Sequence, residues 1–430
     1  MVEFFHPLES SSIESTRLND LLNLVQRCMP SKVVFPRLKS LSFPLNQSHY
    51  NPNLSGLDLT QVAHVSVHSL AAFPSQLIHI TPLFPAIRTL ELTSNLVTLP
   101  LWKGDVKGAV STMPSLQNLA IAASRSITPH ILADIATIPT IKMIKFNART
   151  PNYPEALNTT SSPRQPSRDL ILKMTGGGFD ILPTLLKQSQ SVSISHSVLI
   201  FDAIDKKTIK QPSIDHAITT IVDTCPSLKM LTISNDEPHN NILFYLIRSC
   251  RDGILGIASQ TLQPLTRLRC ITTLHLRLTA ALIITPKFLN QIADSWISLQ
   301  YCYLSPFNRF ELEKNNEPLL HLPDIVHFAS RCPSLHTLGV LFDLEPKNIE
   351  WEGWFEQPSP PLVARAMKKL DVGSSGILDH ERTASIITTA FPFLDSLKWA
   401  KPFFKSTMWM SDRESEEWAK TQNLVFGLCS

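Results

Sequence analysis

Apolar residues return along this chain in one repeated phrase, L-x-x-L-x-L, whose aliphatic or aromatic positions are separated by polar ones. The clearest copies follow an apolar residue and a proline: Phe35-Pro36-Arg37-Leu38, Phe84-Pro85-Ala86-Ile87, Met113-Pro114-Ser115-Leu116, Ile138-Pro139-Thr140-Ile141, Cys225-Pro226-Ser227-Leu228, Cys332-Pro333-Ser334-Leu335 and Phe391-Pro392-Phe393-Leu394. Further copies, without the proline, begin at Val62, Ser189, Ile271, Leu299 and Met367. Ser189 is the one polar residue among the key positions. Alternation within the phrase predicts a short strand, because residues two apart share a face.

The segments ahead of the strands read as helices. Apolar residues recur at helical spacing in Ala217, Ile218, Ile221, Val222, and again in Phe288, Leu289, Ile292, Ala293, Trp296. Thr128-Pro129 and Thr285-Pro286 each place an N-cap threonine before a proline at the first helical position, and Ser213 and Asp379 read as caps of the same kind. The later proline stops the helix, because it pushes the preceding residue out of the helical region. The unit is therefore helix, proline stop, strand, loop. Stacked with its strands parallel it predicts an α/β solenoid, a horseshoe with strands on the concave face and helices on the convex one. Leu90, Leu119, Leu231 and Leu338 are then expected in a continuous buried spine.

The phrases from about residue 38 to 399 resemble leucine-rich repeats. Their irregular lengths, and the cysteine or aromatic residue before Pro-Ser-Leu, are similar to the degenerate repeats of fungal F-box/leucine-rich-repeat proteins. The resemblance implies a leucine-rich-repeat solenoid over 35–400. It also implies a role as substrate-recognition subunit of a cullin-RING (SCF-type) ubiquitin ligase, in which an F-box docks on the adaptor and the repeats hold the protein to be ubiquitinated. Residues 1–34 contain one credible helix, Thr16 to Cys28, and no Leu-Pro-x-Glu-like F-box phrase. An adaptor is thus implied as a partner only where an F-box lies upstream of Met1. The remaining organisation is expected as an N-terminal helical segment or cap over 1–34, inserted loops at about 150–169 and 345–361, and a C-terminal capping segment over 401–430. In that last segment Ser411-x-x-Glu414 reads as a capping box ahead of a helix carrying Trp418.

Composition narrows the function classes. The hydrophobic fraction is 43%, charged residues are 17%, and the net charge is +3. That apolar content excludes disorder over the whole length, and the charge balance does not indicate a nucleic-acid surface. The longest apolar stretch, Leu278 to Ile284, falls far short of the roughly 20 residues that cross a bilayer. Met1 to Pro7 does not read as a signal peptide, the 7 cysteines form no C-x-x-C pair, and an intracellular location, cytoplasmic or nuclear, is expected.

Candidate chemistry is sparse. Cys225 and Cys332 occupy the apolar slot before proline and are expected to be buried as small hydrophobes. His64, Ser66 and His68 share the solvent face of a strand, with the two histidines too far apart to bind one metal ion. Thr175-Gly176-Gly177-Gly178 lacks the Gly-Lys-Ser/Thr ending of a phosphate loop and reads as a turn. Lys206-Lys207-x-x-Lys210 reads as a solvated loop. No catalytic residue, metal site or cofactor is expected. Residues between the leucines line the concave face, where His275 and Arg277 on one strand neighbour Tyr301 and Tyr303 on the next. Tyrosine and arginine are enriched where proteins bind one another, so these four form a candidate patch for a protein partner. Glu91, Lys145, Lys369, Asp371 and Lys398 are placed on the same face. Trp351, Trp354 and Phe355 form a second candidate, in a proline-flanked loop. The functional expectation is protein binding, with neither nucleic acid nor membrane as partner. An interaction scaffold unrelated to ubiquitin is the alternative, and an enzyme whose site assembles only in space is a remote one.

Overall fold

The computed structural model describes residues 4–5, 38–44, 59–68, 84–94, 106–123, 135, 138–147, 168–175, 182–183, 186–187, 194–202, 211–234, 257–278, 282–304, 320–342, 362–377, 379–399 and 412–427. The chain divides into two compact units, 1–196 and 197–430.

In the first unit every strand is parallel to its neighbour. The order is β1 (Phe4–Phe5), β2 (Ser40–Pro44), β3 (His64–His68), β4 (Thr89–Ser94), β5 (Asn118–Ala123), β6 (Met143–Asn147) and β7 (Arg168–Thr175). The register sets Leu41, Val65, Leu90, Leu119, Ile144 and Leu172 side by side. None of these six is more than 3% exposed. Helix α1 (Val106–Ser111) precedes β5.

The second unit repeats the arrangement. Strands β8 (Ile194–Asp202), β9 (Met230–Ser234), β11 (Thr273–Arg277), β13 (Tyr301–Leu304), β14 (Thr337–Val340), β15 (Lys369–Asp371) and β16 (Ser396–Lys398) are parallel neighbours. A second pairing joins β10 (Ile257–Ala258) to β12 (Leu282–Ile283). The helices are α2 (Gln211–Thr224), α3 (Ser259–Leu262), α4 (Pro286–Ser295), α5 (Leu322–Arg331), α6 (His380–Ala390) and α7 (Asp412–Phe426). The aligned row here is Leu199, Leu231, Leu274, Cys302, Leu338, Leu370 and Leu397, all buried. Each such aliphatic side chain contributes about 1.5–3 kcal/mol when removed from water. A buried spine is therefore present in each unit, with Leu90 and Leu119 in the first and Leu231 and Leu338 in the second, and each has the α/β fold of leucine-rich repeats.

Two backbone patterns recur in both units. The residue before the Pro-x pair accepts a hydrogen bond from the first leucine position three residues on, as in Leu116 N–H to Met113 O, Leu228 N–H to Cys225 O and Leu394 N–H to Phe391 O. Proline stands at the second position of that turn, where its fixed φ fits. Trp296 and Leu299 make the same turn with Ile297 in the proline position, so proline favours the stop without being required for it. Next, two successive N–H groups of one repeat share a carbonyl of the repeat before. Gln117 and Asn118 donate to Arg88 O, and Gln300 and Tyr301 to Thr272 O. These bonds lock one repeat's register to the next.

The helix faces predicted from spacing are buried, and two of the predicted caps are present. Ala217, Ile218, Ile221 and Val222 of α2 are buried, as are Phe288, Leu289, Ile292, Ala293 and the adjoining Trp296 of α4. Thr285 caps α4 by accepting from the Phe288 N–H at 3.2 Å, and Asp379 caps α6 by accepting from the Arg382 N–H at 3.0 Å. Ser213 is no cap. Helix α2 starts two residues earlier at Gln211, with Pro212 in the first turn, where its missing N–H costs no hydrogen bond. Thr128-Pro129, the helix expected at Thr16 to Cys28 and Ser411 lie outside the described residues.

One strand expectation is corrected and two strands are added. Strand β7 rises from the end of the expected insert at 150–169, and it escaped the repeat pattern because the first key position holds Asp169. The copy assigned to Ser189 is displaced. The register puts Leu199 and Phe201 opposite Leu231 and Ile233, so that repeat starts at His196. Phe4–Phe5 adds a short strand beside β2, within the segment read as a helical segment or cap. In β3, Ser66 is 5% exposed rather than solvated, a short hydroxyl sunk among its row neighbours, and His64 approaches Glu91 at 3.8 Å.

Helix α7 packs on α6 and reaches the last strand. Gln422 Nε2 donates to Leu397 O at 3.0 Å, satisfying a carbonyl of β16. Glu417 accepts from Lys420 Nζ at 2.7 Å and lies 2.6 Å from His380 Nδ1 of α6. The Lys420 bond first, and the His380 bond second, hold its carboxyl below the ordinary glutamate range. A depressed folded-state value means the stabilisation is present above the unfolded value, about 4.3, and disappears as pH falls through the lowered one. The gap in melting temperature between wild type and Glu417→Gln is thus expected to persist at neutral pH and close under acid. A gap unchanged on acidification would exclude the contribution of this carboxylate.

Candidate functional site

Leucine positions point inward, so the residues between them form the open face of the sheet. In the second unit one row of this face runs Thr232, His275, Tyr303, Gly339, Asp371, Lys398, and the row beside it runs Met230, Thr273, Tyr301, Thr337, Lys369, Ser396. Of the four expected neighbours, His275, Tyr301 and Tyr303 meet. His275 packs edge-on against Tyr303 with ring centroids 4.8 Å apart, and is tilted against Tyr301 at 5.7 Å. Tyr301 and Tyr303 stack at 6.4 Å.

Tyr303 then crosses a whole strand. Its hydroxyl donates to Asp371 Oδ2 on β15 at 3.2 Å, and its ring passes over Gly339 of the intervening β14. A Cβ built on Gly339 would lie 2.2 Å from the Tyr303 ring, closer than any side chain tolerates. Asp371 Oδ1 also accepts from the Gly373 N–H at 3.0 Å, and Gly373 adopts φ +53°, open to glycine at little cost. Tyr303 is only 8% exposed, a buried link rather than a free side chain.

Burial raises the Asp371 pKa, opposed by the Gly373 N–H, the Tyr303 hydroxyl, Lys398 and Arg277. Burial also raises both phenols, with the Asp371 charge adding to each. Tyr303 therefore remains a neutral donor to the carboxylate. Lys369 and Lys398 stand exposed beside this link, and Arg277 is half-buried on β11.

In the first unit Glu91 and Lys145 lie on the corresponding open face, Glu91 beside His64 and Lys145 in register with Lys173. Trp351, Trp354, Phe355, Gly176–Gly178 and Lys206–Lys210 lie outside the described residues. Cys225 and Cys332 are buried in their slots, as expected, and Cys302 fills a leucine position. Burial pushes the Cys332 thiol up to about 12, and raises that of Cys302 as well. Thiols held in that form are poor nucleophiles. Among the described residues no group of three or more His, Cys, Asp or Glu converges on a metal position, and no helix is long and apolar enough to cross a membrane.

Sequence reasoning missed the Tyr303–Gly339–Asp371 link. A signal existed: Gly339 sits alone inside a strand phrase, Leu338-Gly339-Val340, in a chain with 13 glycines, and such a glycine marks a close approach.

No protein-family profile matches the chain, and no curated protein sequence does. Several solved structures are similar. A chain of the Rad7–Elc1 complex from yeast is 13% identical with TM-score 0.42, over 93% of this chain and 85% of that one. The leucine-rich-repeat-containing protein LegL7 from Legionella pneumophila is 12% identical with TM-score 0.36, over 91% and 99%. An internalin from Listeria monocytogenes is 13% identical with TM-score 0.33, over 81% and 70%.

Proposed function

We propose that this leucine-rich-repeat chain is a protein-binding subunit whose partner is held on the open face of the second unit, around His275, Arg277, Tyr301 and Tyr303. The observation that carries this reading is the aromatic cluster itself, fixed in place by the Tyr303–Asp371 link before any partner arrives. Side chains ordered in advance lose less entropy on binding, and tyrosine and arginine are enriched among hot spots. The finer role is substrate recognition in a cullin-RING ubiquitin ligase, supported by the likeness of the repeats to those of fungal F-box/leucine-rich-repeat proteins. The chain binds and presents; it performs no covalent chemistry.

Affinity purification followed by mass spectrometry tests both levels. Wild type is expected to recover a discrete partner set that Tyr301→Ala and Tyr303→Ala lose, with a ligase adaptor among the proteins recovered by the complete gene product. Unchanged recovery by both variants removes the patch. Absence of the adaptor removes the ligase role and leaves an interaction scaffold.

A further inference from the structure

Among the described side chains, the open face of the second unit carries more cations than anions. Its charged residues among the described strands with described side chains are Arg277, Lys369 and Lys398 against one carboxylate, Asp371. That carboxylate is already committed, with Oδ2 taking the Tyr303 hydroxyl and Oδ1 the Gly373 N–H. Lys369 and Lys398 are both exposed and lie diagonally on adjacent strands, Lys369 opposite Ser396 and Lys398 opposite Asp371. Lys369 forms no ion pair with a carboxylate among the described residues, and Lys398 acts on Asp371 only through its charge from the neighbouring strand. What the face presents outward is therefore cationic, beside aromatic rings.

Resting on the protein-binding reading above, we infer that this face takes an acidic segment of its partner, rich in aspartate and glutamate. Its carboxylates meet Lys369, Lys398 and Arg277, and its backbone lies against Tyr301. Complementary charge steers such a segment and sets its register. The same cations would attract a nucleic acid. Tyr303 itself offers a base nothing to stack on, because its ring lies on Gly339, packs against His275 and Tyr301, and is 8% exposed, so a nucleic acid would find only the half-buried rings of Tyr301 and His275 there.

The test uses the full chain and a fluorescein-labelled peptide of alternating glutamate and glycine, read by fluorescence polarisation. The glutamate peptide is expected to bind, and its glutamine counterpart not. Lys369→Glu with Lys398→Glu is expected to weaken binding roughly tenfold or more. Lys287→Glu with Arg382→Glu, exposed on helices α4 and α6, is expected to leave it unchanged. Equal binding of the glutamine peptide, an equal loss from the helix-side pair, or binding of single-stranded poly(U) RNA alone would overturn the inference. The two readings separate in competition. A partner recovered by wild type and lost by Tyr301→Ala, but not displaced by excess glutamate peptide, keeps protein binding and removes the acidic segment.

Discussion

Trp418→Ala is expected to cost about 3–5 kcal/mol, the usual range for deleting a fully buried large aromatic. Trp418 is 0% exposed on α7. Its indole N–H donates to Ser375 O at 2.9 Å, and its ring meets Phe342 edge-on at 6.4 Å. Ser375 is a junction in its own right. Its hydroxyl donates to Val372 O at 2.5 Å and accepts from the Phe342 N–H at 3.0 Å. Removing the indole leaves a cavity and a buried carbonyl without its donor, and loosens α7 from the end of the sheet. Trp418→Phe keeps much of the volume and loses the hydrogen bond with one part of the ring, so it should cost less, about 1–2 kcal/mol. Urea denaturation followed by circular dichroism measures both, and hydrogen exchange should show α7 amides losing protection in the alanine variant. A midpoint near wild type with α7 still protected would mean that the helix is held by its other contacts.

Gly339→Ala is expected to cost about 1–3 kcal/mol, because the new methyl group occupies the space of the Tyr303 ring. The ring must swing off β14 and give up its bond to Asp371. The decisive comparison is a double-mutant cycle. In a Tyr303→Ala background the same substitution should cost nothing, or stabilise the strand by roughly 0.5–1 kcal/mol, since glycine weakens a strand relative to alanine. An equal cost in both backgrounds would show that Gly339 serves the backbone and not the tyrosine. The single variant should also diminish partner recovery, as is expected of Tyr303→Ala.

The same residues show how far the sequence can be read. Leu90, Leu119, Leu231 and Leu338 were legible as a spine because a half-buried strand writes its geometry into every second residue. Thr285 and Asp379 were legible as caps because capping is local. Strand β7 and the frame of β8 were not, since Asp169 and His196 stand where the first apolar residue belongs and the register is carried by two positions instead of three. Ser213 misled because Pro212 is as acceptable inside the first turn as after a cap.

What the amino-acid order determined by itself is periodic and local: strand phrases, turn prolines, helix faces, buried cysteine slots, and the meeting of His275, Tyr301 and Tyr303 on adjoining strands. What only the tertiary structure decided is the reach of a side chain across a neighbour. Tyr303 and Asp371 are 68 residues apart and touch because β14 presents a glycine between them. Whether a phenol stands up toward a partner or lies down across the sheet depends on the space and hydrogen-bond acceptors two strands away. No pattern of nearest neighbours along the chain encodes that.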